Sequence, residues 1–110
     1  MPATTAVTDG PDGPVVRIAG AFDVGSSRAV EQVLLQALAD GGNGSLTIDL
    51  QSVHFMDSTG LRALSVARKR AEELGGHIEL VHVVHEVRRV IHMLGMAPYF
   101  TIADDASPPA

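Results

Sequence analysis

At 110 residues, with 45% hydrophobic and 19% charged positions, the chain has the size and composition of one small globular domain. A formal net charge of −5 argues against nucleic-acid binding, which rests on neutralising phosphates with Lys and Arg. The lack of cysteine excludes disulfides, thiol catalysis and Cys-ligated zinc, and with three Phe, one Tyr and no Trp the core must be built from Val, Leu, Ile and Ala.

Residues 1–14 are rich in Thr, Pro, Gly and Asp. Thr4 to Thr8 predicts a short edge strand. Asp9-Gly10-Pro11-Asp12-Gly13-Pro14 reads as a turn, and Val15-Val16-Arg17-Ile18-Ala19 as a strand ended by Gly20. The two strands are expected to pair as a hairpin. Ser26 or Ser27 is a candidate N-cap for the next element. Its apolar residues Ala29, Val30, Val33, Leu34, Ala37 and Leu38 recur at helical spacing, which predicts one buried stripe. Gly41-Gly42-Asn43-Gly44 ends that helix.

Leu46-Thr47-Ile48-Asp49-Leu50 alternates and predicts a strand, extended by Val53. The segment Asp57-Ser58-Thr59-Gly60-Leu61 follows. A second helix begins near Leu61, with a stripe of Ala63, Leu64, Ala67, Ala71 and Leu74 and a Gly75-Gly76 C-cap. His77 to Val81 predicts a strand. Val84, Val87, Val90, Ile91 and Leu94 mark a third helix closed by Gly95. Tyr99 to Ile102 reads as a short last strand, and 103–110 as a frayed tail.

This alternation predicts a single α/β domain over residues 1–110, with its core at about 15–102 and partly flexible ends at 1–14 and 103–110. The expected sheet is mixed, with four to five strands, a mostly parallel core and an antiparallel N-terminal edge, packed by about four helices. The N-terminus carries neither the basic cluster nor the apolar stretch of a secretory signal, and no apolar run approaches a membrane span. A cytoplasmic location is the expectation.

Asp57 to Leu61 sets a carboxylate and two hydroxyls where a strand gives way to a helix. Read alone, one of Asp57, Ser58 and Thr59 is most simply a helix cap, and Gly60 a point of close packing. A helix N-terminus also offers unpaired N–H groups and partial positive charge. It can hold an anion, including a phosphate carried by one of those hydroxyls.

The wider pattern resembles the STAS domain. Gly20-Ala21-Phe22-Asp23 is similar to that family's Gly-x-Leu-Asp turn, with Phe22 in place of Leu. Leu46 to Leu50, then Val53-His54-Phe55-Met56 and Asp57 to Leu61, resemble its central strand and phosphorylation loop. Gly75 to Val81 and Val87 to Met96 resemble its next strand and last helix. The similarity runs from about Val15 to Ile102. The stand-alone members of this kind are bacterial anti-sigma factor antagonists.

The resemblance implies a regulatory binding protein, not an enzyme, with no cofactor. Its unphosphorylated form would bind an anti-sigma factor that is also a serine kinase, and so free a sigma factor. The kinase would phosphorylate Ser58, and a phosphoserine phosphatase would reset the switch. Asp23, Asp57, Ser58, Thr59, Gly60, Leu61 and Arg62 are the expected partner-binding residues. A second reading for the same domain is an accessory or scaffold subunit of a stress-sensing or membrane-transport complex, without direct membrane insertion. Arg62 departs from the family pattern, which has Gly there. It is expected on the outer face of the second helix with Ser65, Val66, Lys69 and Arg70, either to steer an acidic partner or as a solvated face.

Other chemistries fit less well. The five histidines, His54, His77, His82, His85 and His92, lack the i, i+4 spacing of a helical metal site. Ser58 lacks a nucleophile elbow, because Met56 stands where its first Gly belongs. Gly41 to Gly44 lacks the Gly-Lys-Ser/Thr of a phosphate loop.

Overall fold

The computed structural model describes residues 3–103. The elements run β1 (Thr4–Gly10), β2 (Gly13–Phe22), α1 (Ser27–Gly41), β3 (Leu46–Met56), α2 (Ser58–Glu73), β4 (Ile78–Val81), α3 (His85–Met93), a single 3₁₀ turn (Ala97–Tyr99) and β5 (Thr101–Ile102). The five strands form one sheet in sequential order. β1 is antiparallel to β2, and every other neighbouring pair is parallel. This is the expected mixed α/β sheet. Three α-helices and one 3₁₀ turn among the described residues stand where about four helices were expected.

The alternating residues of the strands build the core. Val16, Ile18, Ile48, Leu50 and Leu80 are fully buried. They meet Val30, Leu34, Ala37 and Leu38 of α1 and Ala63, Leu64, Ala67 and Ala71 of α2. The alanines keep α2 slim and let it lie close to the sheet. Fully burying a Val, Leu or Ile side chain contributes roughly 1.5–3 kcal/mol.

Several boundaries differ from expectation. The hairpin loop is only Pro11-Asp12, because Asp9 pairs with Pro14 and Gly10 with Gly13. Gly20 does not end β2. It takes a φ of 107° inside the strand, and the register against β3 shifts between Gly20 and Ala21. Glycine tolerates that geometry where a side chain would be strained. β3 continues to Met56, so the motif follows the strand directly. Ala29 is exposed rather than part of the α1 stripe. Tyr99 belongs to the 3₁₀ turn Ala97–Tyr99, with Pro98 at its second position, which leaves β5 only two residues.

Leu74 and Leu94 are C-cap residues, 39% and 50% exposed, rather than members of the buried stripes. Each precedes a glycine that closes its helix. The N–H groups of Gly75 and Gly76 donate to Glu72 and Ala71 carbonyls at 3.0 and 2.9 Å. Those of Gly95 and Met96 donate to His92 and Ile91 carbonyls, both at 3.0 Å. Both are Schellman endings, with positive φ at Gly75 and Gly95. The expected tail at 103–110 lies, beyond Ala103, outside the described residues. No helix among the described residues is long and apolar enough to cross a membrane.

Candidate functional site

β2 and β3 run parallel and finish side by side, with Phe22 aligned to Met56. The turn after β2 and the junction after β3 therefore emerge at one end of the sheet. This brings Asp23 beside a motif more than thirty residues downstream. Phe22 is the link. Its carbonyl accepts the Asp57 N–H at 3.4 Å. A Cβ on Gly60 would stand 2.5 Å from that same carbonyl oxygen and 2.8 Å from Met56 Cγ. Only glycine fits there without moving backbone, so Gly60 seats the first turn of α2 against β2. Leu61, 4% exposed, anchors the turn in the core.

α2 begins at Ser58, three residues before the expected start, and Asp57 is its N-cap. The Asp57 Oδ1 accepts from the N–H groups of Thr59 at 2.9 Å and Gly60 at 3.3 Å. It also accepts from the Thr59 hydroxyl at 2.5 Å. That hydroxyl, helped by the two N–H groups, holds the Asp57 carboxyl below its ordinary pKa, against the opposing effect of burial. The carboxylate therefore stays ionised at neutral pH. Ser58, the first helical residue, is exposed, and its hydroxyl has no hydrogen-bond partner among the described residues.

Asp23 is half-buried and organises the turn before α1. Its carboxylate accepts the Gly25 N–H at 3.0 Å, and its carbonyl accepts the N–H groups of Ser26 and Ser27 at 3.1 and 2.8 Å. Ser26 holds the N-cap position but does not cap with its side chain. It is 3% exposed, and its hydroxyl donates to the Ala21 carbonyl at 2.9 Å while accepting the Asp23 N–H at 3.2 Å. The turn is thus tied to β2 by a buried hydroxyl.

A groove of about 440 Å³ separates the starts of α1 and α2. Thr59 and Arg62 line one wall, and Ser27, Arg28 and Glu31 line the other. Sequence reading missed Arg28 and Glu31. They sit on the polar side of α1, thirty residues upstream of Thr59, and only the parallel pairing of β2 with β3 brings them near. Arg62 is exposed, as expected. Along α2, Arg68 pairs with Glu72 at 2.6 Å and Arg70 with Glu73 at 3.0 Å. Arg62 and Lys69 form no ion pair among the described residues. Val66 and Ser65 are half-buried.

The expected site residues thus fall into three groups. Ser58 and Arg62 are exposed, Asp23, Asp57 and Thr59 are half-buried, and Gly60 and Leu61 are buried. Among the described residues, no group of three or more His, Cys, Asp or Glu could hold a metal ion. His82 lies with Asp49, its Nδ1 3.3 Å from the carboxylate.

A model of the STAS domain matches residues 4–107. The chain is 30% identical over 101 residues to the anti-sigma-F factor antagonist RsfB of Mycobacterium tuberculosis, over 90% of this chain and 80% of that protein. An anti-sigma factor antagonist from Mycobacterium paratuberculosis has a crystal structure similar to this one, with TM-score 0.81 and 30% identity, covering 93% of this chain and 86% of that one. The anti-sigma factor antagonist SpoIIAA in its unphosphorylated form shares the fold at TM-score 0.77 and 19% identity, over 93% of this chain and 90% of that one. The family match spans the whole sheet and all three helices, and the chain belongs to the STAS domain family.

Proposed function

We propose that this chain is a cytoplasmic anti-sigma factor antagonist that acts by reversible binding, not catalysis. Its partner is an anti-sigma factor with serine kinase activity. Binding of the unphosphorylated chain releases a sigma factor. The kinase moves the γ-phosphoryl group of ATP onto Ser58 Oγ, the hydroxyl proton leaves, and ADP remains. A phosphatase restores the hydroxyl. The similarity to named antagonists supports the general role.

The observation that carries the choice of Ser58 is the contrast between two adjacent hydroxyls. Thr59 Oγ1 is committed to Asp57, whereas Ser58 Oγ is exposed and unbonded. A kinase acceptor must be reachable, and only Ser58 is free in that sense.

Phosphorylation adds about −1.5 to −2 charges beside an ionised Asp57. A partner surface fitted to a hydroxyl then meets bulk, repulsion and desolvation. A loss of about 3 kcal/mol weakens binding more than a hundredfold. The chain needs no refolding for this, because the added group lies on the surface.

The test is incubation with the candidate kinase and ATP, followed by mapping of the phosphate by mass spectrometry. Phosphate is expected on Ser58. An active kinase that leaves Ser58 unmodified would overturn the site. Ser58→Ala is expected to keep partner binding and Ser58→Asp to lose most of it. Equal binding by the two variants would rule out a charge switch.

A further inference from the structure

We propose that Arg62 is an internal clamp for phosphoserine at position 58, closing onto the phosphate across one turn of α2. This rests on the phosphorylation of Ser58 proposed above.

The helix N-terminus cannot do this work alone, because its donors are already engaged. Asp57 Oδ1 accepts the N–H groups of Thr59 and Gly60, and the Leu61 N–H donates to the Asp57 carbonyl at 3.1 Å. Only the N–H of Ser58 itself is left in the first turn. A phosphate on Ser58 also stands beside the Asp57 carboxylate, which stays ionised. The new dianion therefore needs a cation from a side chain.

Arg62 is placed to supply it. Ser58 and Arg62 are four residues apart in one helix, so they lie on the same face with Cβ atoms about 5–6 Å apart. The guanidinium is long enough to span that gap and offers a planar fork that matches phosphate oxygens. The other α2 cations are excluded. Arg68 and Arg70 are held by Glu72 and Glu73, and Lys69 is eleven residues from Ser58, about 16 Å along the axis. The charged groups at this end of the sheet are Asp57 and Arg62 on α2, Asp23 in the turn after β2, Arg28 and Glu31 across the groove on α1, and His54 of β3 with Glu86 and Arg89 of α3 beside Met56. Arg89 is itself paired with Glu86 at 4.0 Å. Neither Arg28 nor Arg62 forms an ion pair among the described residues. Arg28 lies on the far wall of the groove, on α1, and has no helical register with Ser58, so Arg62 is the assigned clamp.

One consequence is a double change at the surface. With a bare Ser58, the Arg62 guanidinium is available to a partner. With phosphoserine, it is drawn back along its own helix. Phosphorylation thus adds a negative group and withdraws a positive one in a single step.

The experiment uses the full chain with phosphoserine installed at position 58 during translation, so it needs no kinase. Phosphorus NMR follows the second ionisation of the phosphate with pH. In the wild-type background this ionisation is expected at a lower pH than in Arg62→Gln, by on the order of half a unit for an exposed pair. Arg62→Lys recovers part of the difference, since it keeps the charge but loses the fork. Arg28→Gln matches the wild type. Raising the salt to about 1 M, where the Debye length is about 3 Å, shrinks the wild-type shift. Identical titrations for the wild type and Arg62→Gln would overturn the clamp, and so would a shift caused by Arg28→Gln alone. If a folding defect prevents measurement on Arg62→Gln, Arg62→Met takes its place, and a titration identical to the wild type at low salt counts against the clamp. A kinase that ignores Ser58 would sink the functional reading but would leave this result standing.

Discussion

Thr59 Oγ1 donates to Asp57 Oδ1 at 2.5 Å, so the two residues flanking Ser58 bond to each other across it. This divides the labour between neighbouring hydroxyls. Thr59→Ala is expected to raise the Asp57 pKa toward the ordinary carboxylate value, since that hydroxyl is the main cause of its depression. It should destabilise the fold by about 0.5–1.5 kcal/mol, the usual net worth of one hydrogen bond. Phosphate should still arrive at Ser58 at a similar rate. Urea unfolding and mass spectrometry check the two halves. A phosphate that disappears with Thr59 would make Thr59 the acceptor.

Asp57 supplies the cap itself. Asp57→Ala is expected to cost about 1 kcal/mol at neutral pH, within the range of about 0.5–2 kcal/mol for lost caps. Asp57→Asn should cost less, because Asn also caps well. The pH dependence follows from the direction of the pKa. A carboxyl depressed in the folded state stabilises the fold above its unfolded pKa, about 3.9. That contribution fades as the pH falls from there through the folded value. The stability gap between wild type and Asp57→Asn should therefore be widest near neutral pH and shrink in acid. Urea midpoints at pH 7 and in acid measure this. A gap that widens in acid would contradict the assignment.

Gly60 tests how tightly the site depends on packing. In Gly60→Ala the new methyl would meet the Phe22 carbonyl, which is backbone and cannot swing aside. Overpacking of this kind costs about 1–3 kcal/mol. The first turn of α2 should also move away from β2 and carry Ser58 with it, so kinase modification should slow. Gly75→Ala is a useful contrast. Its φ of 85° makes it strained, but nothing stands within 4 Å of its Cβ. It should lower stability without altering phosphorylation. Equal phosphorylation rates in both variants would separate Gly60 from the site.

The sequence carried the fold where periodicity is local. The α1 stripe of Val30, Leu34, Ala37 and Leu38 and the α2 stripe of Ala63, Leu64, Ala67 and Ala71 are buried as spacing predicts. The Gly75 and Gly95 endings were legible because positive φ favours glycine. The second half of β3 was not. Beyond Leu50 the buried residues are Val53 and Met56, three apart, because the register with β2 is irregular there. Its pairing with β2, not its own alternation, makes it a strand. At the site, Asp57, Ser58 and Thr59 could be named as a capping group. Which hydroxyl stays free depends on a side-chain bond that spacing does not reveal. Arg28 and Glu31 were invisible for a similar reason, since the parallel pairing of β2 with β3 and the packing of α1 beside α2 together bring them to Thr59.

Asp49 shows the same limit and carries the last prediction. In an alternating strand it falls on the polar face with Thr47, yet it is only 5% exposed. Its carboxylate accepts the Gln51 N–H at 3.0 Å and lies 3.5 Å from Arg17 Nε and 3.3 Å from His82 Nδ1. A buried acceptor with several donors is costly to remove, because each donor must find a new partner. Asp49→Ala should therefore destabilise by about 1–3 kcal/mol. Arg17→Ala should cost less, about 1 kcal/mol, since the Arg17 side chain is 64% exposed even though its partner Asp49 is buried and keeps its other contacts. Asp49→Asn should fall between them if the bond to Gln51 dominates, because the amide oxygen can still accept it. Urea unfolding of the three variants ranks these effects, and Asp49→Asn as harmful as Asp49→Ala would assign the stability to charge instead. Phosphorylation of Ser58 should be unchanged in all three, because Asp49 pairs with Arg17 and Val81 within the sheet, seven residues of β3 short of the motif.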